Sequence, residues 1–199
     1  MRWNTLDRLD HRKPLVVDTR ELGRRPGSML KVSRTVPAPV DMGVADVIGA
    51  PEGVPIRLGV RLEAVMEGVL VTGVAQVPLT GECVRCLEPL ERELTVRFQE
   101  LYVYPDTDAD EDALRLQDDL FDLEPVLRDA TVLALPLSPL CREDCPGLCS
   151  ECGALLAEDP DHSHELADPR WAKLTSIFDG PSAEADVDGA SGADENQEK

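Results

Sequence analysis

Fourteen residues constrain this chain more than any others: Leu140-Cys-Arg-Glu-Asp-Cys-Pro-Gly-Leu-Cys-Ser-Glu-Cys-Gly153. They hold four of the six cysteines, Cys141, Cys145, Cys149 and Cys152. The remaining two, Cys83 and Cys86, form another Cys-x-x-Cys far upstream, so no cysteine is left over. Two residues between thiolates let one tight turn aim both sulfurs, and nearby backbone N–H groups, at a single ion. Cys149-Ser-Glu-Cys152-Gly153 is such a knuckle, its glycine able to take the left-handed conformation at the turn. The pattern reads as a zinc site, of one or two ions. Clustered cysteines beside Arg and Glu do not resemble buried core thiols. Disulfides require an oxidising compartment, and the N-terminal Met1-Arg-Trp-Asn-Thr-Leu-Asp-Arg8 lacks the apolar core of an export signal. A thioredoxin-like redox pair would follow a strand and open a helix, whereas Cys83-Val-Arg-Cys86 lies in a strand–turn–strand pattern.

Charge narrows the function classes. The formal net charge is −19, which disfavours a general nucleic-acid sleeve and suits a soluble, cytoplasmic protein with a basic partner. Residues 1–35 nevertheless hold nine Lys/Arg against four Asp/Glu, while residues 100–130 hold eleven acids against two bases. No apolar run approaches the roughly 20 residues of a membrane span. Aromatics make up only 4%, so the core must come from Val, Leu and Ala.

Alternation of apolar and polar residues predicts strands at Pro14–Thr19, Met29–Val36, Ile56–Leu62, Val69–Val77 and Glu91–Tyr104, a meander over 14–104 with Cys83 and Cys86 at a hairpin tip. Pro105–Asp119 is acidic and reads as a solvated or disordered linker; it lacks the glycine and terminal glutamate of a calcium loop. Residues 122–135 predict a helix capped by Asp122, with Leu123, Val126, Leu127, Ala130, Leu133 and Ala134 on the face that covers the sheet. A Cys/His module over 139–165 follows. Asp168 then caps a helix over 168–178 in which Trp171 is a packing anchor, and residues 179–199 predict a disordered acidic tail. The expected fold is α+β: a curled antiparallel β-meander or half-barrel covered by a helix, with a Cys-rich zinc-binding module and a short C-terminal helix, one domain over 1–178. Arg20, Arg24 and Arg25 form the main basic cluster, a candidate docking patch.

The chain resembles the YceD proteins, the large ribosomal RNA subunit accumulation proteins. The resemblance is carried by Arg20-Glu-Leu-Gly-Arg-Arg-Pro-Gly-Ser28, Cys83-Val-Arg-Cys86-Leu-Glu-Pro89, Leu133-Ala-Leu-Pro-Leu137 leading into the cysteine stretch, and Asp168-Pro-Arg-Trp171. It implies a non-enzymatic role in large-subunit assembly. Genes of this family commonly neighbour that of a small zinc-binding ribosomal protein. Many members carry a further Cys-x-Cys after the glycine-ended knuckle, where this chain has His162-Ser-His164.

Ligand counting suggests how the metal is held. Six cysteines overfill one tetrahedral site and underfill two, but with His162 and His164 they make eight donors. The expected division is Cys83, Cys86, Cys141 and Cys145 for one ion, and Cys149, Cys152, His162 and His164 for another. One rival joins Cys83/Cys86 to Cys149/Cys152; another is a local site from the four clustered cysteines. The expected partner is a basic ribosomal protein, ribosomal RNA, or both, in the assembling large subunit. For direct RNA binding, Arg85 and Arg142 would join the N-terminal arginines. A metal- or redox-responsive regulator is the alternative. No nucleophile–base set, phosphate loop or supported acid pair points to an enzyme, a membrane protein or a small-molecule substrate.

Overall fold

The computed structural model describes residues 8–164. They fall into two units that divide after Pro160, and each is described by itself. The expected helix over 168–178, Trp171 and the acidic tail lie outside the described residues.

The first unit contains β1 (Val16–Asp18), β2 (Met29–Pro37), β3 (Met42–Val44), β4 (Ile48–Ala50), β5 (Pro55–Ala64), β6 (Gly68–Glu82), β7 (Pro89–Val103), β8 (Leu120–Asp122) and α1 (Glu124–Ala134). β6 is the spine. β7 pairs with it over its whole length, while β5 and then β4 share its other edge. β2 lies outside β5 and β3 outside β4, and every strand pairing is antiparallel. β2, β5, β6 and β7 run antiparallel in that order, but the strand expected at Pro14–Thr19 is not part of this sheet, because it pairs with β8 instead. Among the described residues the sheet is no closed barrel, because β2 and β7 do not pair with each other. β1 and β8 form a separate two-stranded ribbon.

Period-two alternation decides the buried face. Ile56, Leu58, Val60 and Leu62 of β5 meet Val69, Val71, Ala75 and Val77 of β6 in one core. Burying side chains of this size contributes roughly 1.5–3 kcal/mol each. Phe98 lies across Gly73, its register partner; a Cβ there would sit 2.0 Å from the ring. Tyr102 packs on Phe121 and donates a hydrogen bond to the Asp122 carbonyl at 2.8 Å, which ties β7 to β8.

The cap position of α1 is Leu123, one residue after the expected Asp122, and carries no side-chain cap; Asp122 still serves the helix start, its carboxylate accepting the Glu124 N–H at 2.9 Å. Pro125 stands in the first turn, where no N–H is needed. Leu123, Val126, Leu127 and Thr131 are buried and Ala130 partly so, and the helix packs against β7 and β3. Arg128 clamps it by donating to the Val40 and Asp41 carbonyls at 2.7 and 2.8 Å. The predicted stripe runs too far, however. Leu133 is 86% exposed and Ala134 is exposed as well. Periodicity identifies the inward side of a helix but not where the surface beneath it ends.

The acidic stretch after β7 is also more anchored than its composition predicts. Leu116 is buried, and backbone hydrogen bonds join Leu116 N–H to the Val103 carbonyl and Val103 N–H to the Leu114 carbonyl. Arg115 donates to the carbonyls of Thr107 and Ala109. Two apolar residues and one arginine suffice to pin a segment whose acids face water.

Candidate metal centre

The β6–β7 hairpin ends in Cys83-Val-Arg-Cys86-Leu-Glu88. Its turn is closed by Cys83 N–H to the Glu88 carbonyl at 2.9 Å and by Leu87 N–H to the Cys83 carbonyl at 2.8 Å. Leu87 takes the left-handed conformation, with φ of 60°. Cys149-Ser-Glu-Cys152-Gly-Ala154 repeats this backbone. Cys149 N–H bonds the Ala154 carbonyl at 2.8 Å, Gly153 N–H bonds the Cys149 carbonyl at 2.9 Å, and Gly153 has φ of 73°. The same offsets thus build two knuckles.

Residues 139–148 dock onto the first knuckle through its own peptide groups. Val84 N–H donates to the Pro139 carbonyl at 2.9 Å, and Leu148 N–H to the Arg85 carbonyl at 3.1 Å. The Arg85 guanidinium donates to the Cys145 carbonyl at 2.9 Å, and Arg92 to that of Leu140. Gly147, at φ of 82°, passes close to Arg85, where a Cβ would stand 3.0 Å from the Arg85 carbonyl oxygen. These contacts bring Cys141 and Cys145 over Cys83 and Cys86.

The four sulfurs lie within 4.8 Å of one another. Cys83 and Cys145 Sγ are 3.8 Å apart, and Cys86 and Cys141 Sγ are 3.7 Å apart. These distances are far longer than a disulfide. They match the edge of a tetrahedron with zinc–sulfur bonds of about 2.3 Å, which is about 3.8 Å. Cys83, Cys86 and Cys145 are buried and Cys141 is exposed, so the site is closed on three sides.

The electrostatics also suit a cation. Burial pushes the Cys83 thiol up, but hydrogen bonds from the backbone of Cys141, Cys86 and Arg85, together with the Cys86 thiol, bring it down to about 6. At Cys86 the backbone of Glu88 favours the thiolate, yet burial and the Cys83, Cys145 and Cys141 sulfurs push it up to about 12. The Cys141 thiol is raised by Cys145 first and by burial next. One thiolate is therefore favoured and further ones are opposed. A divalent ion removes that opposition.

The other candidate ligands fall in different units. Within the first, the Glu151 N–H points at the Cys149 sulfur at 3.5 Å, Cys149 is half-buried and Cys152 is exposed. Within the second, His162 and His164 bring their Nε2 atoms to 2.9 Å, the rings edge-to-face. Residues two apart on an extended chain project to the same side, so a His-x-His spacing lets the two rings meet.

The N-terminal arginines are largely countered within the protein. Arg20 pairs with Asp18 at 2.7 Å. Arg24 lies over the Tyr104 ring, 3.6 Å from Asp119 and 3.8 Å from Asp106. Arg25 is exposed. Arg142 pairs with Asp144 at 3.5 Å, while Arg85 stands at the cysteine cluster. Sequence reasoning missed Glu88, whose carboxylate accepts from the Cys86 thiol at 3.5 Å. Its place two residues after a knuckle cysteine was the available signal.

A family profile described as Large ribosomal RNA subunit accumulation protein YceD matches residues 71–178, a span that contains all six cysteines and both clustered histidines. The chain belongs to the YceD family. A Mycobacterium tuberculosis protein and a Mycobacterium bovis protein are each 46% identical to it over 176 residues, covering 86% of this chain and 84% of theirs. A Mycobacterium leprae protein is 41% identical over 170 residues, covering 83% of this chain and 78% of its own length. All three are named as uncharacterized proteins. No solved structure matches. YceD membership supports a ribosome-related role. Among the described residues no helix is long and apolar enough to cross a membrane.

Proposed function

We propose that this YceD protein is a non-enzymatic, cytoplasmic factor in large ribosomal subunit biogenesis, needed for accumulation of the large-subunit RNA. In this reading it acts by binding a basic ribosomal protein or pre-ribosomal RNA, and zinc is structural. The observation that carries it is the family match over the segment whose four thiols converge at tetrahedral spacing. A closed thiolate site of this kind leaves no open coordination position for chemistry, which favours a fold-building ion over a catalytic one. Bound zinc would staple the β6–β7 hairpin tip to the segment after α1, and so hold a rigid surface for a partner.

The second ion of the reading is held by Cys149, Cys152, His162 and His164. Its support is the completed knuckle at Cys149–Cys152, the converging histidine nitrogens, and the short chain between them. His162-Ser-His164 then does the work of the Cys-x-Cys that many YceD proteins carry there. A regulatory reading has one observation behind it: exposed Cys141 gives oxidants or chelators a route to an otherwise buried cluster.

The test is depletion in the native cell with quantification of both ribosomal RNAs, together with affinity capture before and after ribonuclease. A selective loss of large-subunit RNA on depletion supports the reading. Unchanged ratios of the two RNAs overturn it. Capture that survives ribonuclease identifies a protein partner, and capture that is lost identifies RNA.

A further inference from the structure

Three rows at the centre of the sheet's outward face carry a charge opposite to that of the chain as a whole. In the register of β2, β5, β6 and β7, Lys31 stands beside Arg61, Thr72 and Gln99. The next row is Ser33, Gly59, Val74 and Arg97, and the one after it Thr35, Arg57, Gln76 and Thr95. Lys31, Arg57, Arg61 and Arg97 are all exposed. With strands about 4.8 Å apart and alternate residues about 6.7 Å apart, these three rows form a patch on the order of 15 Å across. Two acids border it: Glu93, 2.7 Å from Arg57, and Glu63, 3.9 Å from Arg61. Exposed pairs of this kind are worth little, so a stronger anion exchanges with them readily.

The centre of the patch is hollow. Ser33, Thr35, Arg57, Gly59, Val74 and Gln76 line an open depression of about 490 Å³. Packing does not require the glycine: a Cβ at Gly59 would meet nothing closer than the Val74 carbonyl oxygen, at 4.0 Å. The missing side chain leaves the sheet backbone approachable between cations.

We infer that this face docks the sugar–phosphate backbone of an RNA duplex, with Lys31, Arg57, Arg61 and Arg97 on phosphates and the intervening hydroxyl and amide side chains on ribose. The inference deepens the assembly reading and rests on it. Chemistry favours RNA over an acidic protein. The three rows hold no aromatic anchor and only one apolar side chain, Val74, whereas protein-docking patches concentrate binding in such anchors. Without aromatics to stack on splayed bases, the face suits the wide, shallow groove and 2′-hydroxyls of duplex RNA, read by shape. The rest of an acidic chain repels a polyanion, so contact is confined to this face and is short-ranged.

The probe is a mixed-sequence RNA duplex of about 20 base pairs, used with the full-length, metal-loaded protein at several salt concentrations. The variants are Lys31→Gln/Arg61→Gln/Arg97→Gln and, separately, Gly59→Glu, which keeps every cation and places a carboxylate in the depression. All four positions are on the water side of the sheet, so melting temperatures should stay near wild type. Wild type should bind, both variants should bind at least tenfold more weakly, and the salt slope of the triple variant should fall by about one for each cation removed. Absence of duplex binding by wild type overturns the inference, as does equal binding by both folded variants. Tighter binding to polyglutamate than to RNA also overturns it and assigns the face to an acidic protein segment. In depleted cells, full recovery of large-subunit RNA by the triple variant would sink the RNA face and leave the assembly role standing. No effect of depletion itself would sink the assembly role.

Discussion

The two knuckles share a backbone and differ in what surrounds it. Both close with an N–H to carbonyl bond from the fifth residue to the first, and both set that fifth residue in the left-handed region. The first is built into the end of two fifteen-residue strands, and Cys83 and Cys86 are buried among core residues. The second stands on a short loop, with Cys152 exposed. The fifth residue records the difference. Gly153 takes the conformation at no steric cost, whereas Leu87 takes it with a largely exposed side chain, held by the ladder behind it. A turn motif thus defines ligand geometry, while its setting decides how much of the fold depends on the ligand.

The largest expected effect follows from that contrast. Cys145→Ser should lose one zinc per chain and destabilise the first unit by several kcal/mol, because the metal's binding energy is folding energy for the hairpin tip. Metal analysis with thermal melting checks both, and a variant that keeps its zinc breaks the comparison. Cys152→Ser, or His162→Ala with His164→Ala, should also remove one zinc but lower stability by only about 1 kcal/mol, since few core groups lean on that loop. One zinc in wild type and in the histidine variant alike would mean that the second knuckle holds no ion with them.

Chelation sharpens the same point in time. A strong chelator should strip the zinc of the exposed second site quickly and that of the buried first site slowly, giving two phases at least tenfold apart. A single phase would make the sites equivalent. The smallest effects belong to the turn residues. Gly153→Leu should cost about 1–2 kcal/mol of local stability through its positive φ. Leu87→Gly should change stability by no more than about 1 kcal/mol, because relief of strain offsets the greater freedom of the unfolded glycine. Hydrogen exchange at Gly153 and Leu87 amides reads both.

Much of the first site was legible in the chain. Spacing identified the knuckles, and counting donors paired Cys83/Cys86 with Cys141/Cys145, the grouping in which the sulfurs now converge. Alternation located β2, β5, β6 and β7. The cationic face was not legible, although Arg57, Arg61 and Arg97 were each visible as polar members of an alternating strand. Which of them become neighbours depends on register, and register is fixed by hairpin lengths that alternation does not encode. Leu133 misled for a related reason: it lies on the inward side of α1, but among the described residues it is left exposed.

The long hairpin also sets an order of events during synthesis. β6 and β7 are adjacent in sequence and can pair as soon as both have left the ribosome, leaving Cys83 and Cys86 at an open tip. Their partners follow 55 and 62 residues later, counted from Cys86 to Cys141 and from Cys83 to Cys145. Everything between, including β8 and α1, is enclosed in the loop that converging Cys83/Cys86 and Cys141/Cys145 close, and the entropy of closing it falls if those elements have already folded. Under the proposed zinc binding, metal capture would be a late step: a chain that stalls before Cys145 would carry the paired hairpin without the partners of Cys83 and Cys86.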